Sequence, residues 1–193
     1  IKLIGLAKKT NNEIEIRVHP TLIPESRLVA NVDGPMNAVL VMANMLGPTL
    51  YYGAGAGSDP TASAVVTDVV DLARSINHGS KTFHIPSNGF ETSNSKGVSF
   101  KAIENISTGY YLRANFLDSA GVLAKITNLF AEKNISIDAM HQKMLKKDQK
   151  ENDVIIVVNH ALEKDINDIV DKIQLMESNI GSVVKLRLEE MAK

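Results

Sequence analysis

The 193-residue sequence contains no cysteine. A disulfide framework, a thiolate metal site and a thiol nucleophile are all excluded, and the composition suits a reducing compartment. An excess of either charge is also lacking: 21 basic side chains face 22 acidic ones, for a formal net charge of −1. That balance leaves no electrostatic footprint for nucleic acid or an anionic membrane surface. The five histidines, His19, His78, His84, His141 and His160, lack the i,i+4 or short-loop spacing of a chelating set, so structural or surface roles and no metal are expected. No run of about 18 apolar residues could span a bilayer, and no basic-then-apolar leader opens the chain. These absences point to a cytoplasmic protein.

What is present is a 44% hydrophobic chain, enough for one large core or two small ones. Ile1 already lies inside an apolar-rich run, IKLIGLAKK, and the expectation is a piece of a longer chain. Residues 79–108 (GSKTFHIPSNGFETSNSKGVSFKAIENIST) are rich in Ser, Asn, Thr and Gly without a sustained apolar period. They read as a linker, within which residues 98–106 could add a strand to either side. The expected organisation is therefore 1–79, a linker at 80–108, and a domain at 109–193.

In the last of these, residues 110–117 (YYLRANFL) alternate Leu112, Ala114 and Phe116 against Arg113 and Asn115, as a half-buried strand does. Val122, Leu123, Ile126, Leu129 and Phe130 follow at helical spacing, after Asp118 and Ser119, whose oxygens could cap the helix. Asn134 suits a left-handed stop. Residues 135–144 and 153–159 predict a hairpin, a second helix starts near Glu163, and residues 183–189 (VVKLRLE) supply a last strand. The order β-α-β-β-α-β is the split-βαβ, ferredoxin-like plan.

The helix start after residue 118 has chemistry to offer. Its first N–H groups have no intrahelical partner and favour a carboxylate. Gly121 would let a ligand approach the backbone, and Asp118 could face an ammonium group. The segment DSAGVLAKITNLFAEKNISIDAM resembles the signature of an ACT domain, a ligand-sensing module of amino-acid-biosynthetic enzymes. That resemblance implies a ligand between this turn and the following strand, often across a subunit interface. It makes Asp118, Ser119, Gly121, Val122, Leu123, Ser136, Ile137 and Asp138 the candidate effector contacts. The plainer alternative is that Asp118 or Ser119 caps the helix, Val122 and Leu123 are core, and Ser136 and Asp138 are the polar face of an edge strand.

In the first half, residues 1–9 and 13–19 predict a hairpin across Thr10-Asn11-Asn12, and residues 29–32 and 38–42 continue the apolar pattern. Asp59-Pro60 fits a helix start, with Ala62, Val65, Val66, Val69, Leu72, Ala73 and Ile76 as the stripe to be buried. Gly53, Gly55 and Gly57 run into this helix, but without the third glycine of GxGxxG or a GxxxxGK[ST], so no self-sufficient nucleotide site is expected.

The blocks IKLIGLAKK, EIEIRVHPTLIP, NAVLVMAN and YYGAGAGSDPTASAVVTDVVDLAR resemble consecutive stretches of bacterial homoserine dehydrogenase. The resemblance implies an α+β fold: the C-terminal part of that family's catalytic and dimerisation domain, a mixed sheet with helices, followed by an ACT domain. It implies an NAD(P)-dependent parent interconverting aspartate semialdehyde and homoserine, with threonine as feedback effector and a homodimeric or homotetrameric assembly. By block order the acid–base lysine lies upstream of Ile1, so no catalytic residue falls in this chain and no cofactor is expected bound to it. Lys2, Lys8 and Lys9 read as ordinary outward or strand-end lysines. The glycine loop carries over, with Gly57 and then Gly55 as cofactor contacts. The alternatives are a stand-alone amino-acid-binding regulator and a purely dimerising module.

Overall fold

The computed structural model describes residues 1–10, 13–77, 97, 99–142 and 151–190. In chain order the elements are β1 (Lys2–Thr10), β2 (Glu13–Leu22), a 3-10 turn (Leu28–Asn31), β3 (Met36–Ala43), β4 (Gly47–Ala54), α1 (Ser58–Asn77), β5 (Ser99–Phe100) and a second 3-10 turn (Ile103–Asn105). Then come β6 (Ser107–Leu117), α2 (Val122–Glu132), β7 (Ala139–Gln142), β8 (Glu151–Leu162), α3 (Glu163–Gln174) and β9 (Val184–Leu188). Contacts divide the described residues into two units, one formed by 1–24 with 99–190 and one by 25–97.

The first unit is built on a seven-stranded sheet of order β1-β2-β9-β6-β8-β7, with β5 also paired to β2. Its β9-β6-β8-β7 portion, with α2 and α3 as the crossings, has the split-βαβ order expected from the sequence. Period two puts Tyr110, Leu112, Ala114 and Phe116 of β6 and Val154, Ile156 and Val158 of β8 on one face. Val122, Ile126 and Phe130 of α2 and Ile166, Ile169 and Ile173 of α3 join them in a single cluster. Full burial of such side chains stabilises by about 1.5–3 kcal/mol each before chain entropy is charged. Helix α2 stops where expected: Asn134 is left-handed at φ 55°, and the Ile135 N–H returns to the Phe130 carbonyl at 2.9 Å. Gly109 sits at a register shift in β6; a Cβ there would lie 2.9 Å from Leu188 Cβ, so its bareness lets β9 close on β6.

The β1–β2 hairpin forms as expected, pairing from Lys2↔Thr21 to Thr10↔Glu13. Its allegiance differs from the division drawn at residue 79. β2 runs parallel to β9 through Thr21↔Arg187 and Leu22↔Leu188, which gathers residues 1–24 with the C-terminal sheet. The expected linker also supplies a strand, since Ser99 and Phe100 pair with Glu13 and Ile14. β2 is inverted in polarity: Glu15, Arg17, His19 and Thr21 are buried, whereas Ile16 and Val18 are exposed.

The second unit holds the β3–β4 hairpin, in register from Met36↔Ala54 to Ala43↔Gly47, and α1. Residues 28–31, at the start of the apolar stretch at 29–32, form a 3-10 turn. One expectation changes here: the apolar stripe of α1 is not buried, and no α1 residue is. Val69 is 59% and Ile76 80% exposed. The periodicity marked a face, and no described element of this chain covers it.

Candidate functional site

The β6–α2 turn opens on a concavity of about 280 Å³. Asp118, Ser119, Gly121, Val122 and Leu123 all line it, together with Gln142 of β7 and Val154 of β8. The turn is shaped by Gly121, which occupies the N-cap position at φ 90°, ψ −6°, with no side-chain cap. Of the plainer reading, the core places for Val122 and Leu123 agree with the packing, Val122 lying in the buried cluster and Leu123 against it, while Gly121 rather than Asp118 or Ser119 holds the N-cap position. Only the Ser119 carbonyl is engaged, 3.4 Å from the Val122 N–H. A Cβ on Gly121 would meet nothing within 4 Å, so the backbone is open on that side. The arrangement offers first-turn donors, an exposed carboxylate at Asp118, a neutral amide at Gln142 and an apolar floor of Val122 and Val154.

Ser136, Ile137 and Asp138 lie elsewhere. They precede β7; Ser136 and Asp138 are exposed, Ile137 packs against the core, and the Asp138 N–H is spent on the Val157 carbonyl at 2.9 Å. Gln142 was not singled out from the sequence. Its signal is positional: β7 is antiparallel to β8 with Gln142 opposite Val154, and that long-range register brings its side chain to the turn.

The glycine loop belongs to the second unit. Gly53 is the last residue but one of β4, the Gly55 N–H donates to the Pro35 carbonyl at 3.0 Å, and Gly57 sits at φ 122° immediately before α1. A Cβ on Gly55 would fall 1.5 Å from Asn37 Nδ2. Internal packing therefore accounts for that glycine. At Gly57 the positive φ does so, and the nearest atom to a built Cβ is Pro60 Cδ at 3.3 Å. The helix starts at Ser58, one residue before the expected Asp59 cap, and accommodates Pro60 in its first turn.

A buried polar layer crosses the sheet at β9, unforeseen from the sequence. Glu163, at the start of α3, accepts from Lys185 Nζ (2.6 Å), Arg187 Nε (2.8 Å) and Tyr110 Oη (2.7 Å). Burial pushes its carboxyl up, but these donors outweigh that and hold it at about 2. Burial and the same hydrogen bond push the Tyr110 hydroxyl well above its ordinary value. Glu189 accepts from Arg17, Thr108 (3.1 Å) and Lys8 (3.1 Å). Burial raises its carboxyl, and Arg17 and Lys8 bring it below the usual range. Lys8 is thus not an ordinary outward lysine, although half its side chain is exposed. His19 is held neutral-leaning by burial and by the charges of Arg187 and Arg17, and its Nδ1 lies 2.9 Å from the Thr21 hydroxyl. Among the described residues no group of three or more His, Cys, Asp or Glu could hold a metal ion, and no helix is long and apolar enough to cross a membrane.

Comparison with known proteins decides the family. The homoserine dehydrogenase family profile matches residues 1–70. A homoserine dehydrogenase of Neisseria gonorrhoeae is 43% identical over 99% of this chain, and one of Pseudomonas aeruginosa 39% identical over 99%. The crystal structure of a homoserine dehydrogenase from Thiobacillus denitrificans superposes with a TM-score of 0.85 at 46% identity, covering 99% of this chain and 42% of that one. The chain belongs to the homoserine dehydrogenase family. It spans 43% of the length of the Neisseria homoserine dehydrogenase and 44% of the Pseudomonas one.

Proposed function

We propose that this chain is the C-terminal portion of an NAD(P)-dependent homoserine dehydrogenase, and that its β6–β9 half is an ACT-type unit that senses threonine. The observation that carries the effector reading is the convergence of Asp118, Ser119, Gly121, Val122, Leu123 and Gln142 on one concavity, in a chain 43% identical over 99% of its length to a homoserine dehydrogenase. The α-carboxylate of the effector takes the bare N–H groups at the start of α2, where the helix dipole favours negative charge. Asp118 faces the ammonium group, Gln142 the side-chain hydroxyl, and Val122 with Val154 the methyl. Ser136, Ile137 and Asp138 remain candidate contacts from across a subunit interface. The parent is placed in the cytoplasm as a homodimer or homotetramer.

The nicotinamide cofactor supplies the hydride chemistry when bound. This chain's contribution is the loop at residues 53–57. It is Gly57, with no side chain and a positive φ, that suits close approach; on the Gly55 side Asn37 already fills the space. No acid–base lysine is assigned here, so the chain alone is expected to oxidise no homoserine with NAD⁺ or NADP⁺. Measurable turnover by the purified chain would overturn that assignment. Titration calorimetry tests the effector reading: threonine binds, with methionine, lysine, isoleucine and serine as controls, and Asp118→Asn weakens it at least tenfold, on the order of 1.4 kcal/mol. Heat from no amino acid at millimolar concentration would leave the β6–β9 half a dimerising element without a ligand.

A further inference from the structure

The β1–β2 hairpin belongs to the stretch matched by the family profile, residues 1–70, yet it is built into the sheet of the βαββαβ half. The seam is narrow. β2 and β9 are aligned at only two residue pairs, Thr21↔Arg187 and Leu22↔Leu188, with one further backbone bond from the Glu189 N–H to the Leu22 carbonyl at 3.1 Å. At this seam the Glu189 carboxylate draws one cation from each strand of the hairpin, Arg17 from β2 and Lys8 from β1, and a hydroxyl from β6, Thr108. Two residues back along β9, on the same face, Arg187 and with it Lys185 grip Glu163 at the first turn of α3. The Glu189 and Arg17 side chains are 7% and 2% exposed. Burial makes Glu189 dependent on its cations, because an ion left without its partner in that environment is far costlier than the pair, while Arg17 also has the buried Glu15 carboxylate at 2.8 Å.

We propose that Glu189 is a positioning residue, a clasp that makes the hairpin move as one body with β9 and α3. The inference rests on the proposed function only in calling this clasp the route by which an effector at α2 reaches the family-profile segment; the mechanical claim stands on the seam itself. Coupling of this kind needs a packed connection with few alternatives, and to the two aligned pairs and one further backbone bond of this seam Glu189 adds two buried or half-buried side-chain ion pairs, to Arg17 and Lys8.

Hydrogen exchange by mass spectrometry on the chain as it stands decides it. In Glu189→Gln, amides of β1 and β2 exchange at least tenfold faster while those of β6 and β8 stay within twofold. Lys8→Met, which keeps Arg17 on the carboxylate, gives a smaller rise with the same pattern, and Lys8→Arg restores wild-type rates. Hairpin exchange within twofold of wild type in Glu189→Gln overturns the clasp. So does a parallel rise across β1, β2, β6 and β8, which marks a general support of the fold; if Glu189→Gln does not fold, the two Lys8 variants carry the same comparison. Threonine calorimetry on the same samples is read separately: failure of the wild-type chain to bind counts against the effector reading, and the exchange pattern still decides the clasp.

Discussion

Helices α1 and α2 carry the same apolar spacing, yet α2 buries Val122, Ile126 and Phe130 while α1 buries nothing. The difference lies outside the helices. α2 closes on β6, β8 and α3, all supplied within residues 107–174, whereas the stripe of Val65, Val69, Leu72 and Ile76 meets no described cover. A hydrophobic period reports that a face is made to be covered, and is silent on what covers it. The same lesson applies to β2, whose Ile16 and Val18 point outward while Glu15, Arg17 and His19 are enclosed.

The comparison breaks most readily at the core. Phe130→Ala is expected to destabilise the β6–β9 half by about 3–5 kcal/mol, whereas Leu72→Ala in α1 changes the chain's stability by less than about 0.5 kcal/mol. Urea unfolding of both variants checks this, and equal losses would mean that α1 is packed in solution as tightly as α2. Acid sharpens the contrast next. The Glu163 carboxyl is held at about 2 against an ordinary 4.5, so its contribution is fully present above about pH 5 and is lost as the pH falls toward 2. The loss is on the order of 3 kcal/mol. In Glu163→Gln that part of the pH dependence should vanish, leaving a flatter stability profile between pH 5 and 2.

A smaller effect is expected at the α2 turn. Gly121→Ala meets no atom but must adopt φ 90°, a cost of about 1–2 kcal/mol, so threonine affinity is to be compared at a temperature well below the variant's midpoint. The smallest concerns α1: its exposed Asp71–Arg74 pair, 3.5 Å apart, should give no measurable change in the thermal midpoint on Arg74→Ala.

Much of the β6–β9 fold was legible because its signals are local. Alternation marked β6, the 3.6-residue period marked α2 and α3, and Asn134 marked the helix stop. What escaped depends on partners distant in the chain. No local pattern says that β2 will lie parallel to β9 and carry residues 1–24 into the C-terminal sheet, or that Glu189 will meet Lys8, 181 positions away. At the concavity, Asp118 through Leu123 were legible from the helix start. Gln142 was not, since the pairing of β7 with β8 places it.

The central claim is that the turn before α2 receives a free amino acid. An NMR titration of the isotope-labelled chain with threonine tests it most directly. The account predicts saturable shifts centred on the amides of residues 119–124 and on the Gln142 side chain, reduced in Asp118→Asn. Shifts centred elsewhere, or none at millimolar threonine, would contradict it.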